Sequence, residues 1–142
     1  MTMLATLDRW AGRLTPFASL VLRIAVGWIF LRHGIVKAGM GVAGVAGFFH
    51  GLGIPLPQVA AVIVMVVETV GAACVLAGVL TRFWAVGMVI DMVVAIQLAV
   101  RPTGRPFELE GLLLAAALAL VALGDGPLSV GRLLKKGSRR GG

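Results

Sequence analysis

Charge is scarce in this sequence. Only 13% of its 142 residues are Asp, Glu, Lys or Arg, against 59% hydrophobic residues and a mean hydropathy of +1.01. So little polar surface excludes a soluble domain and points to an integral membrane protein. Cysteine is almost missing too: Cys74 stands alone inside an apolar stretch, which excludes an intrachain disulfide and a cysteine-held metal cluster. Acidic residues number six against 13 basic ones, a net charge of +7. In so apolar a chain that excess reads as an orientation signal in contact with anionic lipid, not as a nucleic-acid site. Apart from the short run Gly41-Val42-Ala43-Gly44-Val45-Ala46-Gly47 there is no internal repeat. About four membrane spans with short connections fill 142 residues, so 1–142 is read as a single domain.

The apolar residues fall into four candidate spans, at about 17–38, 59–80, 83–100 and 108–123. Ahead of them, 3–14 sets Leu4, Leu7, Ala11 and Leu14 on one helical face, with Asp8, Arg9 and Arg13 elsewhere. This reads as an interfacial amphipathic helix; its periodic apolar content and the lack of a small-residue cleavage site argue against a signal peptide. Between spans one and two, 39–57 is apolar but broken by Gly41, Gly44 and Gly47 and by the turn Gly51-Leu52-Gly53-Ile54-Pro55-Leu56-Pro57. It suits a short re-entrant or interfacial segment that roofs a cavity on the outer side. The tail, 137–142, reads as disordered. The expected fold is therefore all-α, an integral membrane four-helix bundle carrying these two accessory pieces.

Four spans place both termini on one side. That side carries Arg9, Arg13, Arg82, Arg132, Lys135, Lys136, Arg139 and Arg140, against Arg32, Lys37, Arg101 and Arg105 opposite. The positive-inside rule then puts both termini in the cytoplasm of a multi-pass plasma (inner) membrane protein.

Within the spans a few ionisable residues stand out. Glu68 lies at the centre of an otherwise uncharged apolar run, near the expected bilayer midplane, where an unpaired ionised side chain costs at least ~2.5 kcal/mol. At 100° per residue, Arg23, Gly27, Phe30, Gly34 and Lys37 form one stripe of span one, with His33 at its edge and Arg32 on the far side. Glu68 shares its face with Ala61, Ala72, Val75 and Val79, and Asp91 shares a face of span three with Trp84, Gly87, Ala95 and Leu98. Arg23 is expected to reach Glu68 or Asp91, leaving one carboxylate in excess, to be met by a proton, by His33 or Lys37, or by a ligand. The bland alternative is that Arg23, Glu68 and Asp91 only lock helix register. His33 and His50 can also ligate a haem or a copper ion, but no supporting ligand pattern accompanies them. Interfacial histidine is the plainer reading, and no metal site is expected. Cys74 points away from the Glu68 face and reads as packing.

Several stretches together resemble the DoxX family, which includes the DoxX and DoxD proteins. They are Arg23-Ile24-Ala25-Val26-Gly27-Trp28-Ile29-Phe30-Leu31-Arg32-His33-Gly34-Ile35-Val36-Lys37, Phe48-Phe49 with the 51–57 turn, Val67-Glu68-Thr69-Val70-Gly71-Ala72, and Gly78-Val79-Leu80-Thr81-Arg82. The closing Gly124-Asp125-Gly126-Pro127-Leu128-Ser129-Val130 is similar to a degraded form of the family's glycine-rich end. The resemblance implies a four-span helical bundle, DoxD being a subunit of an archaeal thiosulfate:quinone oxidoreductase and other relatives being linked with oxidative stress or sulfur redox. Carried over residue by residue, the family pattern touches Arg23, Gly27, Gly34, Lys37, Gly53, Pro55, Glu68, Gly71, Gly78, Arg82 and Glu108.

The expected function is a membrane subunit of a redox system that binds a quinone beneath the 39–57 roof. Glu68 is then the proton carrier, with Arg23 and Asp91 as its charged neighbours. His33 or Lys37 donates to a quinone carbonyl, and Phe30, Phe48 and Phe49, with His50 nearby, line the site. The sequence shows no flavin motif, cysteine cluster or clear haem pair, so electrons are expected from a soluble or membrane redox partner. Homo-oligomers are compatible with the glycine-rich faces. The rival reading is a non-enzymatic scaffold or small transporter, in which the same cluster serves packing or proton-coupled gating.

Overall fold

Glycine and proline punctuate a chain whose other residues favour helix, and the elements follow that punctuation. The computed structural model describes residues 3–138, and every regular element in them is helical. The order is α1 (Met3–Gly51), α2 (Pro57–Val66), α3 (Ala72–Ala77), α4 (Thr81–Val94), α5 (Glu108–Leu123) and α6 (Val130–Ser138). A wide π-helical turn, Val67–Gly71, joins α2 to α3, so 57–77 runs as one helix. A second, Ala95–Val100, and a short 3-10 turn, Arg101–Thr103, extend α4.

Three of these helices, Ala5–Gly51, Pro57–Ala77 and Thr81–Thr103, are long and apolar enough to cross a membrane. Only 28% of the most apolar window of each is buried inside the protein. Val21, Ile24, Trp28, Ile35, Val62, Ile63, Val86 and Ile90 all face outward. A soluble fold would hide such side chains, whereas lipid solvates them. This is a membrane protein. Helix α5 has 16 residues, about 24 Å of rise, and falls short of that length.

The core is built by small residues that let helices close up. Val26 and Phe30 of α1, Ala72 and Val75 of α3, Ala85 and Met88 of α4, and Ala117 and Leu120 of α5 form one buried cluster. α1 packs against α2 and α3, and α4 against α5. Antiparallel register follows from the glycines. A Cβ on Gly34 would lie 2.6 Å from the Glu68 carbonyl oxygen, and one on Gly27 would lie 3.1 Å from that of Ala72. Backbones this close require glycine.

Two expectations change at the first helix. The 3–14 segment is continuous with span one, because the helix runs through Pro16 without a break. A proline removes one intrahelical hydrogen bond, which an otherwise regular helix survives. The break comes instead at Gly41, whose φ of 71° and ψ of 165° only glycine adopts easily. Beyond it the chain resumes helix to Gly51, so most of the 39–57 segment is helical. Val45, Ala46 and Phe49 bury themselves there against Ala61 in a second small core. The expected disorder of 137–142 does not begin at its start: Gly137 and Ser138 close α6, and 139–142 lie outside the described residues.

Candidate functional site

Lys37 and Glu68 face each other across the α1 contact. The Lys37 ammonium donates to Glu68 Oε1 at 2.7 Å and to Oε2 at 2.6 Å. Glu68 is 2% exposed and sits on the π turn, where the widened backbone sets its side chain off the regular helical track. Asp91 on α4 adjoins the pair and feels the charges of both Glu68 and Lys37. Its Oδ2 is buried and has no hydrogen-bond partner among the described residues. Two carboxyl groups therefore share one cation, and one carboxyl oxygen is left unused.

These three side chains open on a cavity of about 450 Å³ between α1, the 57–77 helix and α4. Its remaining wall is mostly apolar: Phe48, Phe49, Leu52 and Ile54 from the end of α1 and the turn after it, Ile63, Val64 and Val67 from α2 and its π turn, and Met92, Ala95 and Val100 from α4 and its extension. His33 lies at its side. Arg105 and Glu110, paired at 3.2 Å, lie at a rim that reaches solvent, since the Arg105 side chain is 65% exposed. An apolar chamber of this size holding a few converging polar groups is the usual form of a small-molecule site.

The family model described as DoxX matches residues 18–101, more than half of the sequence. The chain belongs to the DoxX family. The matched stretch holds Lys37, Glu68 and Asp91 and ends before α5. The Inner membrane protein YphA of Escherichia coli (strain K12) is 39% identical over 75 residues, which cover 53% of this chain and 53% of that protein. The chain spans about half the length of this curated relative. No solved structure matches.

Not every residue expected at the site lines this cavity. His33, Lys37, Phe48, Phe49, Glu68 and Asp91 line the cavity. Arg23 does not: the residue facing Glu68 is Gly34, and Arg23 lies 11 residues earlier, about 16 Å down the helix axis. Periodicity put Arg23 and Lys37 on one face correctly, but the axial offset gives Glu68 to Lys37. Phe30 is 1% exposed and belongs to the core. His50 is exposed and turned away from the cavity. Arg105 and Glu110 were not among the expected site residues; only their position after span three hinted at a rim. Among the described residues no group of three or more His, Cys, Asp or Glu could hold a metal ion.

Arg23 instead anchors the closing turn. Its guanidinium donates to the Leu128 carbonyl and is held close to Gly78, whose φ of 73° and lack of a side chain leave it room. Ser19 donates to the Gly124 carbonyl at 2.7 Å, and Asp125 Oδ1 accepts from the Thr81 amide at 2.8 Å, capping the first turn of α4. The glycine-rich end thus ties α5 and α6 to α1 and α4.

Proposed function

We propose that this protein is an inner-membrane redox subunit that binds a quinone in the 450 Å³ cavity. α5 is its fourth span, 1–142 is one domain, and both termini are cytoplasmic. The observation that carries the reading is the partnerless Asp91 oxygen set beside the Lys37–Glu68 pair in an otherwise apolar chamber. A flat, apolar ring with two carbonyl oxygens and an apolar tail fits such a wall, with Phe48 and Phe49 against the ring or tail.

A bound quinone supplies acceptance of two electrons and two protons. The electrons come from a redox partner protein, and this chain's own residues handle binding and protons. Lys37 engages both oxygens of Glu68 and fixes that side chain in place. The cluster has one cation for two carboxyls, so charge balance in a low-dielectric cavity leaves one proton on it. Asp91 is the group placed to hold that proton, because its Oδ2 has no other partner. His33, at the cavity wall, is a donor within the same chamber. Arg23 takes no part beyond fixing the fold.

The test is direct. Protein purified in mild detergent is extracted for mass spectrometry of bound small molecules and examined by ultraviolet-visible redox difference spectroscopy. Stoichiometric quinone that disappears in Glu68→Gln and Asp91→Asn, while both variants stay folded, supports the reading. Bulk lipid alone, with no chromophore, overturns it in favour of a scaffold or small transporter, and a Soret band replaces quinone by haem.

A further inference from the structure

A second cavity, of about 490 Å³, opens at the other end of the protein, where the start of α4, the turn at Gly124 and α6 meet. Arg82, Arg132 and Lys135 converge on it. The ion pairs among the described residues join Lys37 to Glu68 and Arg105 to Glu110, so none of these three cations has a carboxylate partner. The one carboxylate in the wall, Asp125, is already engaged: Oδ1 takes the Thr81 amide, and its charge faces the buried Arg23 guanidinium. Arg82 spends one N–H on the Ala122 carbonyl at 3.0 Å, which fixes its guanidinium and leaves its other donors free.

The surroundings are those of a membrane interface. In α6, Arg132, Lys135 and Lys136 fall on one face, while Val130, Leu133 and Leu134 fall on the other and are exposed. Leu80 and Phe83, at the cavity edge, are each about two-thirds exposed. Basic side chains over a concave pocket with apolar residues on its flanks match a phosphate joined to acyl chains.

We propose that this cavity binds the headgroup of an anionic phospholipid, with Arg82, Arg132 and Lys135 on its phosphate and Leu80 and Phe83 against the acyl chains. The amphipathic α6 then lies along the membrane surface, its position set by the lipid it holds. The site is independent of the quinone cavity.

The full chain in neutral detergent is titrated with phosphatidylglycerol, with phosphatidylcholine and with inorganic phosphate, followed by native mass spectrometry and thermal unfolding. One phosphatidylglycerol should be retained per chain and should raise the unfolding temperature; phosphatidylcholine and inorganic phosphate should do neither. Apparent affinity should fall about tenfold in R132Q/K135Q, whose side chains are exposed and support no internal bond, and by more in single R132Q than in K136Q, which removes one charge outside the cavity and should cost less than about twofold. Equal losses in K136Q and in single R132Q mean diffuse attraction to anionic surfaces and overturn the site. Retention of phosphatidylcholine overturns the charge recognition, and displacement of the lipid by inorganic phosphate makes it a free-anion site instead.

Discussion

Two basic residues stand 14 positions apart on one stripe of helix α1, yet their surroundings treat them in opposite ways. Arg23 is 1% exposed and surrounded by backbone: the Leu128 carbonyl, Gly78, and the turn that Ser19 and Asp125 hold closed. Lys37 is partly exposed and is bonded directly to one of two carboxyl groups on a cavity wall, while the other keeps an unpaired oxygen. Arg23 donates to one fixed carbonyl beside packed glycine, and although its buried Nε has no partner among the described residues, it lines neither cavity, so this charge serves the fold. Charge set in excess on a chamber wall is open to a ligand, which is what the proposed function rests on. The difference lies in whether a cavity opens beside the charge, since both residues stand on the same stripe of the same helix.

That contrast can be broken experimentally. Arg23→Ala should cost most, about 3 kcal/mol in detergent unfolding, because it leaves a cavity and strands the Leu128 carbonyl. Quinone content per folded molecule should nevertheless persist, and its loss would erase the division between the two residues. Gly34→Ala should follow at about 2 kcal/mol, since its Cβ meets the Glu68 backbone and Thr69 at 2.6 Å and pushes α1 off the 57–77 helix. A double-mutant cycle on Lys37→Met and Glu68→Gln should give a coupling of about 1–2 kcal/mol in unfolding, as expected for a contacting pair. A coupling near zero would show that the pair is not formed in the membrane. Asp91→Asn should change stability least, by under about 0.5 kcal/mol, because the amide keeps the size and shape of a protonated carboxyl. On the proposed function it should still remove bound quinone, measured by mass spectrometry of the extracted protein.

Much of this arrangement is legible in the residues. The stripe Arg23, Gly27, Phe30, Gly34, Lys37 does turn inward, with Arg23 and Phe30 each 1% exposed, and so does the face of Ala61, Glu68, Ala72 and Val75. Apolar stretches foretell the 57–77 helix, α4 with its extension, and α5 to within a few residues, and 108–123 matches α5. Periodicity assigns a face but says nothing of sliding along the axis, so it cannot choose between Arg23 and Lys37, 14 residues apart on one stripe. The choice is made by Gly34 meeting the Glu68 backbone, a contact between segments distant in sequence. Helix α6 was hidden for another reason. Its basic residues read as a charged collar, and the alternation of Val130, Leu133 and Leu134 with Arg132, Lys135 and Lys136 is short. The continuity of α1 through Pro16 runs against the ordinary meaning of proline, which is why the first fourteen residues looked like a separate piece.

The π turns at Val67–Gly71 and Ala95–Val100 carry a further consequence. Each accommodates one residue more than an α-helical turn, so the segments on either side are phased independently. Deleting a single residue from 67–71 would restore an unbroken α-helix, and the half beyond it would swing by about 100° relative to the half before. Gly71, which now receives the Trp84 ring, would then turn away while Glu68 kept its place. The spare residue works as a phase adjuster: it lets one apolar rod present a carboxylate to one neighbour and a flat glycine surface to another.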